Sequence, residues 1–148
     1  MKAIEGIRRS GVGVEPARTL RDVAGIMEQS GLGTLAIVEG DRLVGIVTDR
    51  DLVRRGMARG LAPDARIDSV MSTPVITIDA EADLHDAFAI FRTNPVRRLA
   101  VVRDGAFVGM LSVNDLLIDL TSDLADLARP VTAGTVFAHR DSPLPAPT

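Results

Sequence analysis

A seven-residue stretch that occurs twice constrains the fold of this chain more than any other feature. Gly45–Asp51 reads GIVTDRD, and Gly109–Asp115, 64 positions later, reads GMLSVND. Each copy joins a predicted strand to a predicted helix, so a hydroxyl and a carboxylate lie together at a helix N-terminus. Free backbone N–H groups and the helix dipole favour anions there. The pattern therefore predicts a binding point for a sugar-phosphate ligand in each copy.

The doubled stretch belongs to a longer internal repeat. Shifting the sequence by 64 positions aligns residues 12–53 with a later segment without a gap, and ten of the aligned positions are identical. The chain is thus predicted to be an α+β protein of two β-α-β-β-α units, at 6–62 and 67–128, followed by a flexible tail at 129–148. Because a three-stranded unit is marginal alone, we expect the two units to pack their sheets about a pseudo-two-fold axis.

Hydrophobic periodicity places the individual elements. Strands are predicted at 12–14, 35–38, 43–47, 75–78, 99–102 and 107–111, and helices at 19–30, 49–59, 83–93 and 113–128. Thr19 and Asp22 have capping-box spacing, and Gly31 is expected to end the first helix. Pro130 is expected to end the last helix, whose leucines are predicted to be core or dimer contacts.

Composition excludes several function classes. The net charge is −3 and no basic run is longer than two residues, which argues against nucleic-acid binding. The chain has no cysteine, so disulfides and thiolate metal sites are excluded. No apolar run approaches the roughly 20 residues of a membrane span, and the N-terminus lacks a hydrophobic signal region, so we expect a cytoplasmic protein. We find no catalytic set, metal-ligand cluster or glycine-rich phosphate loop, and expect neither an enzyme nor a metal site.

The repeated hydroxyl and carboxylate also have a purely structural interpretation. Thr48-x-x-Asp51 and Ser112-x-x-Asp115 have capping-box spacing. Capping and ligand binding can coexist, so the spacing alone leaves both roles open. His85 is predicted to be a surface residue.

The repeats resemble a known family. Both copies are similar to the Gly-hydrophobic-x-Thr/Ser-x-x-Asp pattern of cystathionine β-synthase (CBS) domains, and Val96–Val102 resembles another stretch of that family. Over residues 6–125 the chain resembles a tandem CBS pair, or Bateman module, of the stand-alone bacterial type. The resemblance implies a regulatory module that senses adenosine-type ligands (AMP, ADP, ATP or S-adenosylmethionine), with no required cofactor. It also implies a homodimer formed through helices, and an unidentified protein target.

The resemblance also implies roles for individual residues. Asp51 and Asp115 would accept hydrogen bonds from ribose hydroxyls, and Thr48 and Ser112 would hold sugar or phosphate oxygens. The set expected to bind the ligand is Thr48, Arg50, Asp51, Arg97, Arg98, Ser112, Asn114 and Asp115, with the arginines facing phosphates.

Two questions stay open at this point. Adenine is expected between apolar residues near Val14 or Ile78 and the strand starts at Leu35 and Leu99. Because the two copies differ in charge, one asymmetric ligand site and two equal sites are both consistent with the sequence. The alternative function is a structural, protein-interaction or stress-response dimer whose clefts stay empty.

Overall fold

The computed structural model describes the backbone of residues 1–7 and 11–141, and side chains within these ranges up to residue 129. The strands are β1 (Gly13–Val14), β2 (Thr34–Glu39), β3 (Arg42–Thr48), β4 (Thr77–Asp79), β5 (Arg98–Arg103) and β6 (Ala106–Ser112). The helices are α1 (Leu20–Ser30), α2 (Asp49–Asp51, continued as a π-helix over Leu52–Met57), α3 (Leu84–Thr93) and α4 (Val113–Asp141). Two 3-10 turns, Ala3–Gly6 (the N-terminal turn) and Ile67–Ser69 (the linker turn), precede the two units. The predicted α+β repeat architecture is confirmed.

The sheet has a palindromic strand order, β1-β2-β3-β6-β5-β4. In each half a parallel strand pairs with an antiparallel hairpin. The halves meet at the hairpin ends through one residue pair, Arg42 with Ala106. The register of the strand pairing shifts at equivalent positions in the two hairpins, between Ile37 and Val38 and between Val101 and Val102. This order agrees with the predicted pseudo-two-fold relation.

Local sequence explains the element ends. The Thr19 hydroxyl accepts a hydrogen bond from the Asp22 N–H at 3.0 Å, and the Asp22 carboxylate accepts from the Thr19 N–H at 3.4 Å. Gly31 follows α1 with φ of 70°, a left-handed conformation that glycine adopts without steric cost. In the second half the Asp83 carboxylate caps α3 by accepting from the His85 N–H at 3.0 Å. Both predicted starts and the predicted glycine end are confirmed.

Two helices differ from the sequence prediction. The segment after Asp51 is wound as a π-helix, with hydrogen bonds from the Ala58 N–H to the Val53 carbonyl and from the Leu61 N–H to the Gly56 carbonyl. The predicted end of α4 at Pro130 is wrong, because the helix continues to Asp141. A proline removes one helical hydrogen bond but does not by itself prevent the next turns from forming. Of the predicted flexible tail, residues 142–148 lie outside the described residues.

Two separate cores lie beneath the sheet, one in each half. The first contains Val14, Leu20, Val23, Met27, Leu35, Ile37, Val47, Ile67 and Val70. The second contains Ala3, Ile78, Ala80, Leu84, Ala87, Leu99, Val101, Leu111 and Leu116. Leu20, Val23 and Met27 of α1 thus face the first core, and Leu84 and Ala87 of α3 face the second. Across the described ranges, no helix combines the length and apolarity that a membrane span requires.

The two 3-10 turns are exchanged between the halves. The N-terminal turn packs on the second core, where the Ala3 N–H donates to the Ala82 carbonyl at 2.8 Å. The linker turn packs on the first core, where the Ile67 N–H donates to the Arg18 carbonyl at 2.7 Å. The two contacts are 64 positions apart in both partners. Each core is consequently closed by a segment that precedes the other half.

Candidate functional site

A cleft of about 210 Å³ combines residues from both halves at the end of the sheet. It is lined by Gly11, Gly31, Leu32, Thr34, Arg98, Met110, Ser112, Asn114 and Asp115. Four of the eight predicted site residues therefore lie on one cleft, namely Arg98, Ser112, Asn114 and Asp115. The cleft holds a carboxylate, a guanidinium, hydroxyls and an amide beside two apolar side chains, which is the donor set that a sugar phosphate requires.

Strand pairing brings the polar groups of the cleft together. Arg98 at the start of β5 is opposite Ser112 at the end of β6. Ser112 is followed at once by α4, and the Val113 N–H donates to the Arg97 carbonyl at 2.9 Å. The hairpin thus holds the hydroxyl and the guanidinium on neighbouring strands, next to the first turn of the helix. Because successive side chains of a strand point to opposite faces, a shift of one position on either strand would turn that side chain away from the face shared by Arg98 and Ser112.

The first copy of the repeated motif forms a complete capping box. The Asp51 N–H donates to the Thr48 hydroxyl at 3.1 Å, and the Thr48 N–H donates to the Asp51 carboxylate at 2.9 Å. The Asp51 carboxylate also lies 3.9 Å from the Arg55 guanidinium. The structural interpretation is therefore confirmed for this copy. Thr48, Arg50 and Asp51 are not among the residues that line the 210 Å³ cleft.

The second copy is arranged differently. The Ser112 hydroxyl accepts from the Asn114 N–H at 3.1 Å, so it does not cap the amide of Asp115. The Asp115 carboxylate is half-buried on the cleft wall and makes no hydrogen bond or ion pair with the part of the chain that the structure describes. The acceptor sites of the Asp115 carboxylate therefore stay open toward the cleft, whereas the Asp51 carboxylate uses part of its acceptor capacity within the chain.

Arg97 and Arg98 also take different directions. The Arg97 guanidinium donates to the Asn114 side-chain oxygen at 3.3 Å and does not line the cleft. Arg98 lines it and is the single cationic residue that does so among the described lining residues. Of the two adjacent arginines, Arg98 is placed to meet an anion in the cleft.

Sequence reasoning missed part of the cleft lining. The residues expected to mark the adenine position, Val14, Leu35, Ile78 and Leu99, are buried in the two cores and do not line the 210 Å³ cleft. Leu32 and Met110 supply the apolar surface of the cleft instead. Thr34 also lines the cleft, and it is the residue equivalent to Arg98 in the repeat alignment, 64 positions before it. That alignment was the signal that could have identified Thr34, because equivalent residues meet near a two-fold axis.

Charged pairs outside the cleft are surface interactions. Arg66 hydrogen bonds to the Asp68 carboxylate at 2.8 Å and thereby lowers the pKa of Asp68. A hydrogen bond from the His85 backbone lowers the pKa of Asp83 at the α3 cap. His85 itself is exposed, as predicted. Among the described residues, no three histidine, aspartate or glutamate side chains group closely enough to hold a metal ion.

Comparison with known proteins identifies the class that this fold and cleft define. The family model of the CBS domain matches residues 4–58 and again residues 67–122. The chain therefore belongs to the CBS-domain family and contains a pair of these domains. The CBS domain-containing protein YhcV of Bacillus subtilis (strain 168) is 31% identical over 110 residues, which is 74% of this chain and 79% of YhcV.

Two solved structures share the fold. The CBS domain protein PAE2072 from Pyrobaculum aerophilum, complexed with AMP, has a TM-score of 0.71 at 26% identity, over 82% of this chain and 99% of that one. Hypoxic Response Protein I with two coordinated zinc ions also has a TM-score of 0.71, at 30% identity, over 79% of this chain and 97% of that one. The AMP and the zinc ions are features of those two proteins.

Proposed function

We propose that this CBS pair is a regulatory module that binds one adenosine-type nucleotide per chain in the 210 Å³ cleft. The observation that carries the proposal is the half-buried Asp115 carboxylate beside Ser112 and Arg98. An ionised carboxylate only accepts hydrogen bonds, so it suits the two neighbouring hydroxyls of a ribose. Arg98 would meet the phosphate, and Leu32 and Met110 would contact the base. The AMP in the related PAE2072 structure supports the same ligand class.

The size and charge of the cleft favour a monophosphate. Its volume is below the roughly 300–1,000 Å³ of ordinary small-molecule pockets, so it encloses part of a nucleotide and leaves the rest at its mouth. Arg98 is the single cation among the lining residues. We therefore expect AMP to bind more tightly than ATP, whose additional negative charges have no partner on this wall.

The first motif serves as a matched control, because Asp51 and Asp115 occupy equivalent positions with different partners. Asp115→Asn should weaken AMP binding by about 1–3 kcal/mol, the range for a hydrogen bond to a charged group. Asp51→Asn should leave AMP binding unchanged and should lower stability by about 0.5–2 kcal/mol, because it weakens the cap of α2.

Isothermal titration calorimetry on protein freed of carried-over nucleotide measures the affinity and the number of sites. One site per chain with selective loss in Asp115→Asn is the expected result. Absence of binding to AMP, ADP, ATP and S-adenosylmethionine at millimolar concentration would overturn the proposal and favour a structural or protein-interaction role. Two equivalent sites would contradict the assignment of Asp51 to capping alone.

We also propose that the module is a homodimer. Apolar side chains of α4 are exposed along the helix, including Leu117 (56%), Leu124 (65%) and Leu127 (71%). Exposed apolar patches of this kind mark interaction sites. Binding of a nucleotide near the start of α4 could then alter the contact of that helix with the second copy, and the protein target of such a change stays unidentified.

A further inference from the structure

The first half presents an apolar groove on its helical side. The groove has a volume of about 470 Å³ and lies between α1 and the π-helical segment after α2. Leu20, Ala24, Leu52, Met57 and Leu61 are among its lining residues. Met57 is 77% exposed and Leu61 is 37% exposed, although both are large apolar side chains. The groove can therefore receive apolar side chains from another molecule.

The second half presents an exposed apolar surface along α4. On α4, Leu117, Ile118, Leu120, Leu124 and Leu127 are between 38% and 71% exposed. These five residues and the three exposed in the first half (Val53, Met57 and Leu61) make up eight of the ten large apolar residues that are exposed among the described side chains. Both halves therefore present exposed apolar side chains on their helical side.

The helical segments that contribute to the two surfaces carry opposite net charge, and the groove is also lined by Arg21 and Glu28, whose charges cancel. Residues 49–59 contain four arginines and two aspartates, whereas the equivalent residues 113–123 contain three aspartates and no basic residue. Arg59 and Asp123 are both exposed, and they occupy positions 64 residues apart. At these equivalent positions the first half has an exposed positive charge and the second half has an exposed negative charge.

From this charge reversal we infer that the chain dimerises in an antiparallel manner, with α4 of one copy against the groove of the other copy. In a parallel dimer, where like halves meet, Arg59 would approach Arg59 and Asp123 would approach Asp123. In the antiparallel dimer the unlike halves meet, and opposite charges face each other at both of its symmetry-related contacts. Like charges across an interface suppress an arrangement and opposite charges favour it. This inference rests on the proposed homodimer and specifies its orientation.

Cross-linking between single-cysteine chains tests the orientation, because the natural chain has no cysteine. One chain carries Arg59→Cys and the other carries Asp123→Cys, and the full-length chains are mixed and treated with a short bismaleimide. The expected product is a heterodimer linked between positions 59 and 123, several-fold in excess of either homodimer. Glu39→Cys, an exposed position at the end of β2, is the control and should give only background cross-linking with either partner.

The outcomes separate the orientation from the dimer itself. Links between two copies of position 59, or two copies of position 123, would overturn the antiparallel arrangement and leave the homodimer standing. A monomer in analytical ultracentrifugation of the natural chain would overturn both.

Charge reversal gives a second measurement that needs no cross-link. Asp123→Arg should raise the dimer dissociation constant by about tenfold, and the double variant Arg59→Asp/Asp123→Arg should restore it. Circular dichroism verifies that each variant is folded. Equal weakening in the single and double variants would contradict the pairing of these two positions.

Discussion

Gly45 and Gly109, the first residues of the two repeated motifs, have a packing role. A Cβ added to Gly109 would lie 2.8 Å from the Ile7 Cδ1 atom, and a Cβ added to Gly45 would collide with the Met71 side chain. Ile7 and Met71 lie within two residues of the ends of the two exchanged 3-10 turns and are themselves 64 positions apart. Both glycines therefore make room for the segment that closes the core of their own half.

The first prediction concerns this close approach. Gly45→Ala should destabilise the chain by about 1–3 kcal/mol, the usual cost of overpacking a well-packed site. The loss would appear as a lower urea midpoint with an unchanged slope. The variant Gly45→Ala/Met71→Ala is the control. Since the collision is with Met71, Met71→Ala should lower the free energy of unfolding less in the Gly45→Ala background than in the natural chain. Additive effects of the two substitutions would contradict this explanation.

At the scale of elements, Glu81 attaches the N-terminal turn to the second half. Its carboxylate accepts from the Lys2 ammonium at 2.5 Å and from the Arg103 guanidinium at 3.0 Å. The hydrogen bond from Lys2, followed by that from Arg103, lowers the pKa of Glu81 below its ordinary value. A carboxylate with a lowered pKa in the folded state stabilises the fold above the unfolded-state pKa, and this contribution is lost as the pH falls through the folded-state value.

The pH dependence of a Glu81→Gln variant tests this attachment. At pH 7 the variant should unfold at a lower urea concentration than the natural chain. As the pH falls from the ordinary glutamate pKa of 4.5 through the lower folded-state pKa, the difference between the two chains should shrink, because the natural carboxyl then becomes neutral like the amide of the variant. Glu39→Gln is the matched control and should show no such pH-dependent difference. A constant difference down to low pH would show that Glu81 acts through something other than its charge.

At the scale of the whole molecule, the exchange of the two 3-10 turns makes the halves depend on each other. Ile67 and Val70 are fully buried in the first core, and Ala3 is fully buried in the second. Full burial of each large apolar side chain contributes about 1.5–3 kcal/mol, which is considerable against the marginal stability of a three-stranded unit. The 3-10 turn that closes each core therefore lies outside the sequence repeat that supplies the rest of that core.

Truncated chains test whether the first core needs the linker turn in addition to the first sequence repeat. Residues 1–64 contain the whole first repeat but lack the linker turn, whereas residues 1–72 contain both. We expect the 1–64 chain to be largely unfolded, and the 1–72 chain to show more secondary structure by circular dichroism and a higher thermal midpoint. Equal midpoints for the two chains would show that the linker turn does not stabilise the first core.

The sequence by itself determined the repeat, the class of fold and most element ends. These features depend on local causes, namely the spacing of apolar residues, the Thr19 and Asp83 caps and the left-handed Gly31. The repeat alignment also placed Ser112 and Asp115 at one strand-to-helix junction, the family resemblance added Arg98, and the structure brings all three to one cleft.

Only the tertiary structure decided how equivalent residues are used. Asp51 and Asp115 have the same local motif, yet one completes a capping box and the other faces the cleft. The exchange of the 3-10 turns and the participation of Thr34 in the cleft were likewise absent from the sequence prediction. The physical reason is that these outcomes depend on contacts between residues distant in the chain, which the spacing of residues within one element does not encode.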